Sequence, residues 1–396
     1  MHKSNPVLRV VRLFAGVIAF GIQFPDPALA AEAAENVIEA FDVYADGDML
    51  LLPVTINRQQ YSFVVDTGST GNFVDAAKTP ALPLLGKRER VNGGDEHPLC
   101  SLRGAFFGKS RIPTGAEAIQ IDLSGIRKAC GYDICGVLGM SCLWTHILEI
   151  DFDRGRLSFL KSVPDSAGSA FRLFRDRLER PMLSIDVSED DSIPFMVDTG
   201  FCGVGITAKL RKGRFELLYE QGLIELLDGD VHSVKFEGYS HVRRGCLSTL
   251  ALGDTTHRRI GVCEGNQSAL GLCFLSRYVV TFDFPNQQLY LKPGKRISEP
   301  DRLNMSGVGV WRSVAEGVEI ALVDPNSPGS AAGLKAGDQI LKFDGKDASS
   351  ISLFKLRTLL ATESLRIKLE VENSAGRREV TLELMRPKKA PTQKAP

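Results

Sequence analysis

The sequence predicts a mainly β protein: two related β-rich lobes about a pseudo-twofold axis, followed by a small α+β module. Three observations carry this. The segment Phe63-Val64-Val65-Asp66-Thr67-Gly68 returns as Phe195-Met196-Val197-Asp198-Thr199-Gly200, an offset of 198 − 66 = 132 residues. Short alternating or apolar runs bounded by polar turns fill both copies. The stretch after residue 303 reads differently, glycine-punctuated and free of Cys, whereas all eight Cys fall between residues 100 and 273.

Composition sets the frame. A chain of 396 residues is too long for one ordinary domain. With 43% hydrophobic and 24% charged residues it can build cores, which excludes wholesale disorder and a fibrous repeat. Lys+Arg and Asp+Glu both number 48, so no basic excess points to nucleic acid. Lys3, Arg9 and Arg12 precede a 12-residue apolar run and then Ala28-Leu29-Ala30. This order reads as a signal peptide over residues 1–30. It implies export to the periplasm or cell envelope, with anchoring by an uncleaved signal as the alternative. No other stretch is long and apolar enough to span a bilayer.

The repeat register persists beyond the first match. Gly71 falls on Gly203, Leu138-Gly139 on Leu270-Gly271, and Asp151-Phe152 on Asp283-Phe284. The duplicated units therefore span residues 36–165 and 166–295. In the first, residues 50–56 and 61–65 read as strands around a polar turn at 57–60. Residues 183–187 and 193–197 repeat them around 189–192. Each unit closes with a hairpin, at 147–160 and 279–291. A helical pattern covers residues 208–227, weakened by Gly213 and Gly222.

Each of Asp66 and Asp198 follows an apolar strand and precedes Thr-Gly, a tight turn. Two units meeting about an axis would bring both carboxyls to one place. Two carboxyls about 3 Å apart share a proton, so one acts as base and the other as acid. Asp66-Thr67-Gly68-Ser69 and Asp198-Thr199-Gly200, with Val137-Leu138-Gly139 and Ala269-Leu270-Gly271 each 73 residues on, resemble the paired motifs of pepsin- and retropepsin-like aspartic proteases. The resemblance covers about residues 40–295. It implies a bilobal endopeptidase with Asp66 and Asp198 catalytic, Thr67, Gly68, Ser69, Thr199 and Gly200 supporting the loops, and polypeptide as substrate. It implies that Thr67 and Thr199 lock the two loops together and that Ser69 hydrogen-bonds the carboxylate. It implies no metal and no cofactor, and that a monomer suffices for catalysis. Phe201 stands where the family carries Ser or Thr, so the two carboxyls should be inequivalent. No flap Tyr lies between Tyr61 and Tyr132; flap candidates are the hairpins around 91–94 and 102–104.

Two glycine motifs are set aside. Residues 203–208 read G-x-G-x-x-A without a following βαβ series, and 139–143 miss G-x-S-x-G by the last Gly.

Residues 296–303 are polar with a Pro and read as a linker. Residues 304–388 order as strand, strand, turn, short helix and strand. The stretch Ser327-Pro328-Gly329-Ser330-Ala331-Ala332-Gly333-Leu334-Lys335-Ala336-Gly337-Asp338 resembles bacterial PDZ domains of envelope proteases. That implies binding of C-terminal peptide tails by strand addition beside a helix. The carboxylate loop would hold Gly307, Val308, Gly309 and Val310, and Leu353, Leu356 and Leu360 would line the groove. Residues 389–396 read as a disordered tail. The alternative to a protease is an inactive protease-like scaffold that binds envelope peptides through this module. The spacing of Cys246 and Cys263 suggests a disulfide, as does that of Cys100 with Cys130 or Cys135.

Overall fold

The computed structural model describes residues 35–44, 48–91, 94–115, 117–235, 238–312 and 317–384. The signal segment, the tail and Asn92-Gly93 of one flap candidate lie outside them. The chain is mainly β, 47% strand against 13% helix. Among the described residues no helix is long and apolar enough to cross a membrane.

A six-stranded sheet joins the two repeats. Its centre is the antiparallel pair Ile147–Asp151 and Tyr278–Asp283, in which Glu149 faces Thr281. These residues are 132 apart, the repeat offset. A residue that faces its own repeat equivalent across an antiparallel pair marks a local twofold, so the pseudo-axis passes between them. Arg156–Leu160 and Gln288–Pro293 flank this pair, and Val37–Asp42 and Ser169–Arg172 form the edges.

Each repeat adds its own sheet. In the first, Gln59–Val65 lies between Leu51–Ile56, antiparallel, and Gly136–Leu138, parallel. In the second, Asp191–Val197 lies between Pro181–Ser188, antiparallel, and Ala269–Leu270, parallel. Strand alternation sends Phe63, Val65, Phe195 and Val197 into one apolar core that runs through both repeats. Val64 and Met196 point to the opposite faces. Each fully buried side chain of this kind contributes about 1.5–3 kcal/mol.

Residues 208–227 are not one helix. Ala208–Arg211 is a strand inserted between Ala269–Leu270 and Thr255–Gly265. The helix is confined to Lys212–Glu220 and is followed by Gly222 at φ +73°, and Ile224–Lys235 is strand again. Sheet pairing overrides the helical periodicity at one end, and the left-handed glycine stops it at the other.

The disulfide expectation is also corrected: all eight cysteines are free. The register sets Cys246 opposite Gly261 and Cys263 opposite Arg244. The two thiols are therefore diagonal neighbours, about 7–8 Å apart in Cα, beyond disulfide reach.

The third unit is a sheet in the order Val308–Arg312, Val318–Val323, Gln339–Phe343, Arg366–Asn373, Gly376–Glu383. It is covered by helix Leu353–Leu360, whose N-cap Ser352 accepts from Lys355 N at 3.1 Å. It has its own apolar core. The segment 296–303 is not a free linker. The Asp301 side chain is 2% exposed and accepts from Arg277 Nη2 at 2.5 Å, Thr207 Oγ1 at 2.8 Å and Gly261 N at 2.6 Å. Its polarity reflects the buried Arg277–Asp301 ion pair rather than solvent exposure.

Candidate active site

The two Asp-Thr-Gly turns meet. Asp66 N donates to Leu138 O and Asp198 N to Leu270 O, both at 2.9 Å, so each turn leaves its strand across the parallel neighbour. Thr67 and Thr199 are fully buried and exchange bonds across the axis. Thr67 N donates to Thr199 Oγ1 and Thr199 N to Thr67 Oγ1, both at 3.0 Å. Thr67 Oγ1 donates to Val197 O at 2.5 Å, and Thr199 Oγ1 to Val65 O at 2.8 Å. Four bonds thus hold each turn to the strand that delivers the other aspartate.

Gly68 and Gly200 set how close the carboxyls come. A Cβ built on Gly68 would lie 2.5 Å from Asp198 Cγ, and one on Gly200 would lie 2.3 Å from Asp66 Cγ. No larger residue fits at either position. Behind each turn the hydrophobic-Gly motif braces it: Met140 N donates to Ser69 O at 2.8 Å and Leu272 N to Phe201 O at 2.9 Å. Asn72 Oδ1 accepts from Gly139 N at 3.0 Å, whereas in the other repeat Thr207 O takes Gly271 N.

The carboxyls are half-buried, and each lies against the glycine of the other's turn. They differ. Asp198 Oδ1 accepts from Gly200 N at 2.9 Å and Phe201 N at 3.0 Å. Asp66 Oδ1 accepts only from Gly68 N, at 2.8 Å, among the described residues. Burial and then the Asp198 charge push Asp66 well above the usual carboxylate range. Burial also raises Asp198, opposed by the Lys209 charge and by donation from Asp66. Burial thus opposes ionisation at both carboxyls, and the second backbone donor makes Asp198 the better seat for a negative charge.

The role expected of Ser69 is corrected. Its hydroxyl donates to Gly71 O at 2.9 Å and not to Asp66. The inequivalence expected from Phe201 is present, but its origin is a backbone N–H rather than a missing hydroxyl. Of the flap candidates, Leu84–Arg90 and Glu96–Ser101 form a hairpin whose tip includes Val91 and Gly94, and 102–104 is a turn.

The residues expected to bind peptide in the third unit are occupied. Ser306 N and Gly307 N donate to Asn304 Oδ1 at 2.9 and 3.1 Å, and Val308 N to Ser306 Oγ at 3.0 Å. On the outer edge of Val308–Arg312, Val308 O accepts from Asn304 Nδ2 at 3.0 Å and Val310 O from Arg357 Nη2 at 2.7 Å. Arg357 Nη2 also donates to Ala129 O, the last turn of helix Ser124–Cys130, at 2.5 Å. Lys128 of that helix lies 3.8 Å over the Trp311 ring. Leu353, Leu356 and Leu360 are buried in the unit's own core. The groove is closed here by Arg357 and by the first repeat. Gly309 belongs to the same strand and packs on Leu322.

Sequence reasoning missed Arg357, Lys209 and Asp301. Nothing in their local sequence distinguishes them from surface charges, because each acquires its role from a strand or helix distant in the chain.

Comparison with known proteins bears on the third unit. No curated protein matches the chain. Residues 319–373 match the family model of the PDZ domain, and the stretch holds the three inner strands of that sheet and the helix Leu353–Leu360. The chain therefore carries a PDZ domain, a peptide-binding module, at residues 319–373.

Proposed function

We propose that the chain is an exported aspartic endopeptidase of the periplasm or cell envelope, with its PDZ domain as a second peptide-binding element. One observation carries the reading: two aspartates 132 residues apart approach until only glycine fits beside them, on turns locked by reciprocal threonine bonds. Such an arrangement is costly unless the pair does chemistry, since burial and mutual repulsion both oppose ionisation.

In this reading polypeptide passes over the dyad. Asp198, ionised, takes a proton from a water that attacks the scissile carbonyl carbon. Asp66 gives its proton to the carbonyl oxygen, and a gem-diol forms. Asp198 then protonates the leaving nitrogen while Asp66 recovers a proton from the diol, and the C–N bond breaks. No covalent enzyme intermediate forms. The purified chain should cleave an unfolded polypeptide in acid, and a statine-type transition-state analogue should stop it. Cleavage indifferent to that inhibitor would overturn the mechanism.

The PDZ domain adds an extended peptide to the Val308–Arg312 edge once Arg357 releases Val310 O. Arg357→Ala in the full chain should therefore bind an extended apolar peptide more tightly than the wild type, by fluorescence anisotropy. Weaker binding would instead make Arg357 part of the peptide seat.

A further inference from the structure

The repeats can be compared position by position through strand register. In the first, Phe73 faces Val137 on one side and Ile119 on the other. In the second, Lys209 faces Ala269 and Cys263. Lys209 therefore occupies the place of Phe73, and both its neighbours are smaller than theirs. The first repeat fills this sheet face with an apolar layer that includes Met49, Val64, Phe73, Leu99, Ile119 and Val137. Among the described residues the second buries Met196, Phe201 and Ala269 there. The space left is a cavity of ≈ 290 Å³. It opens beside the catalytic turn at Gly200 and Phe201, has Lys209 and Cys263 on one wall, and meets Val308 and Val310 of the PDZ-side sheet on the other.

Of the cations in this cavity, Lys209 is the one without a close carboxylate or carbonyl contact among the described residues, its charge acting on the dyad from farther off. Arg244 is paired with Asp324 at 3.2 Å, and Arg357 is held by two carbonyls. Lys209 Nζ lies 4.0 Å over the Phe201 ring, and no described carboxylate stands within ion-pair distance of it. An aromatic face stabilises an ammonium less than a hydrogen-bonded carboxylate in a partly dry cavity does. We propose that this cavity is a specificity subsite for an acidic side chain, Glu or Asp, of the substrate, paired to Lys209 Nζ with its methylenes against Phe201 and Val310. The inference rests on the endopeptidase reading. A side chain rather than a chain terminus is the occupant for two reasons. The 304–308 loop amides are already bonded to Asn304 and Ser306, so no cradle for a terminal carboxylate lies at the cavity's end. A side chain can also enter while the main chain continues past the dyad.

The test is cleavage of a peptide series by the full-length wild type, Lys209→Met, Lys209→Arg and Lys209→Glu. The peptides carry Glu, Gln or Lys in turn at each position near the scissile bond, with free and amidated C-termini. Only the Glu/Gln ratio of kcat/KM within each enzyme is read, because Lys209→Met also changes the field at the dyad. At one position the wild type should favour Glu over Gln by about tenfold or more. Lys209→Met should abolish that ratio, Lys209→Arg should retain it, and Lys209→Glu should favour Lys. Equal ratios in wild type and Lys209→Met would overturn the subsite while leaving the peptidase intact. A preference that follows the free C-terminus would overturn the side-chain assignment. If the wild type cleaves no peptide, the endopeptidase reading fails by itself, and anisotropy of labelled Glu and Gln peptides on wild type and Lys209→Met decides the subsite: a Glu preference lost in the variant supports it, and equal binding refutes it.

Discussion

Thr199→Val removes one hydroxyl and keeps the side-chain shape. Two bonds disappear, leaving Thr67 N–H and Val65 C=O without partners in a region where both threonines have no exposure. A buried backbone group left unsatisfied costs about 1–3 kcal/mol, so the variant should lose about 2–6 kcal/mol. Thr67→Val should lose a similar amount, because it breaks the other two bonds of the set. No bond is shared between the two variants, so the double variant should come near the sum. Urea unfolding followed by tryptophan fluorescence measures this directly, provided the m-value is unchanged. A loss below about 0.5 kcal/mol in either single variant would refute the claim that the threonine exchange holds the repeats together.

Three further outcomes follow from the same contacts. Gly200→Ala puts a methyl 2.3 Å from Asp66 Cγ, where carbon atoms need about 3.5 Å, so the carboxyl must shift by about 1 Å and cleavage should fall about 10²-fold by kcat/KM. Asp301→Asn uncouples a buried ion pair with Arg277, whose side chains are 2% and 7% exposed, and should cost about 3–5 kcal/mol by urea unfolding. His257 is buried against Tyr278, Nε2 to hydroxyl 2.6 Å, and burial and then the Arg277 charge lower its pKa to about 4. The unfolded chain then binds this proton near pH 6.5 and the folded chain only near pH 4, so stability falls as pH drops through that window, by about 3 kcal/mol. His257→Gln should flatten that part of the stability–pH curve; an unchanged slope would mean the histidine titrates normally.

The contrast between what the sequence shows and what it hides is physical. Asp66, Thr67 and Gly68 and their copies at Asp198, Thr199 and Gly200 were legible because a duplicated motif carries its own alignment. Both closing hairpins were legible for the same reason, and the PDZ-like stretch because its turn residues stand at fixed offsets. Residues 208–227 misled because helical periodicity is local, whereas the pairing of Lys209 with Ala269 and Cys263 is not. Polarity misled at 296–303, where Asp301 is buried because Arg277 satisfies it. Ser69 was misassigned because a hydroxyl two residues from a carbonyl has a local alternative to the Asp66 carboxylate, and Gly71 O takes it. The closed PDZ edge was invisible, since Arg357 and Ala129 are 228 residues apart.

The central claim is that Asp66 and Asp198 work as one proton-sharing pair. Its most direct test is the cleavage rate of one unstructured peptide by wild type, Asp66→Asn and Asp198→Asn, each first shown by urea unfolding to be folded. The expected result is cleavage by the wild type in acid and none by either variant, because one carboxyl cannot be both base and acid. Cleavage at the wild-type rate by either variant would contradict it.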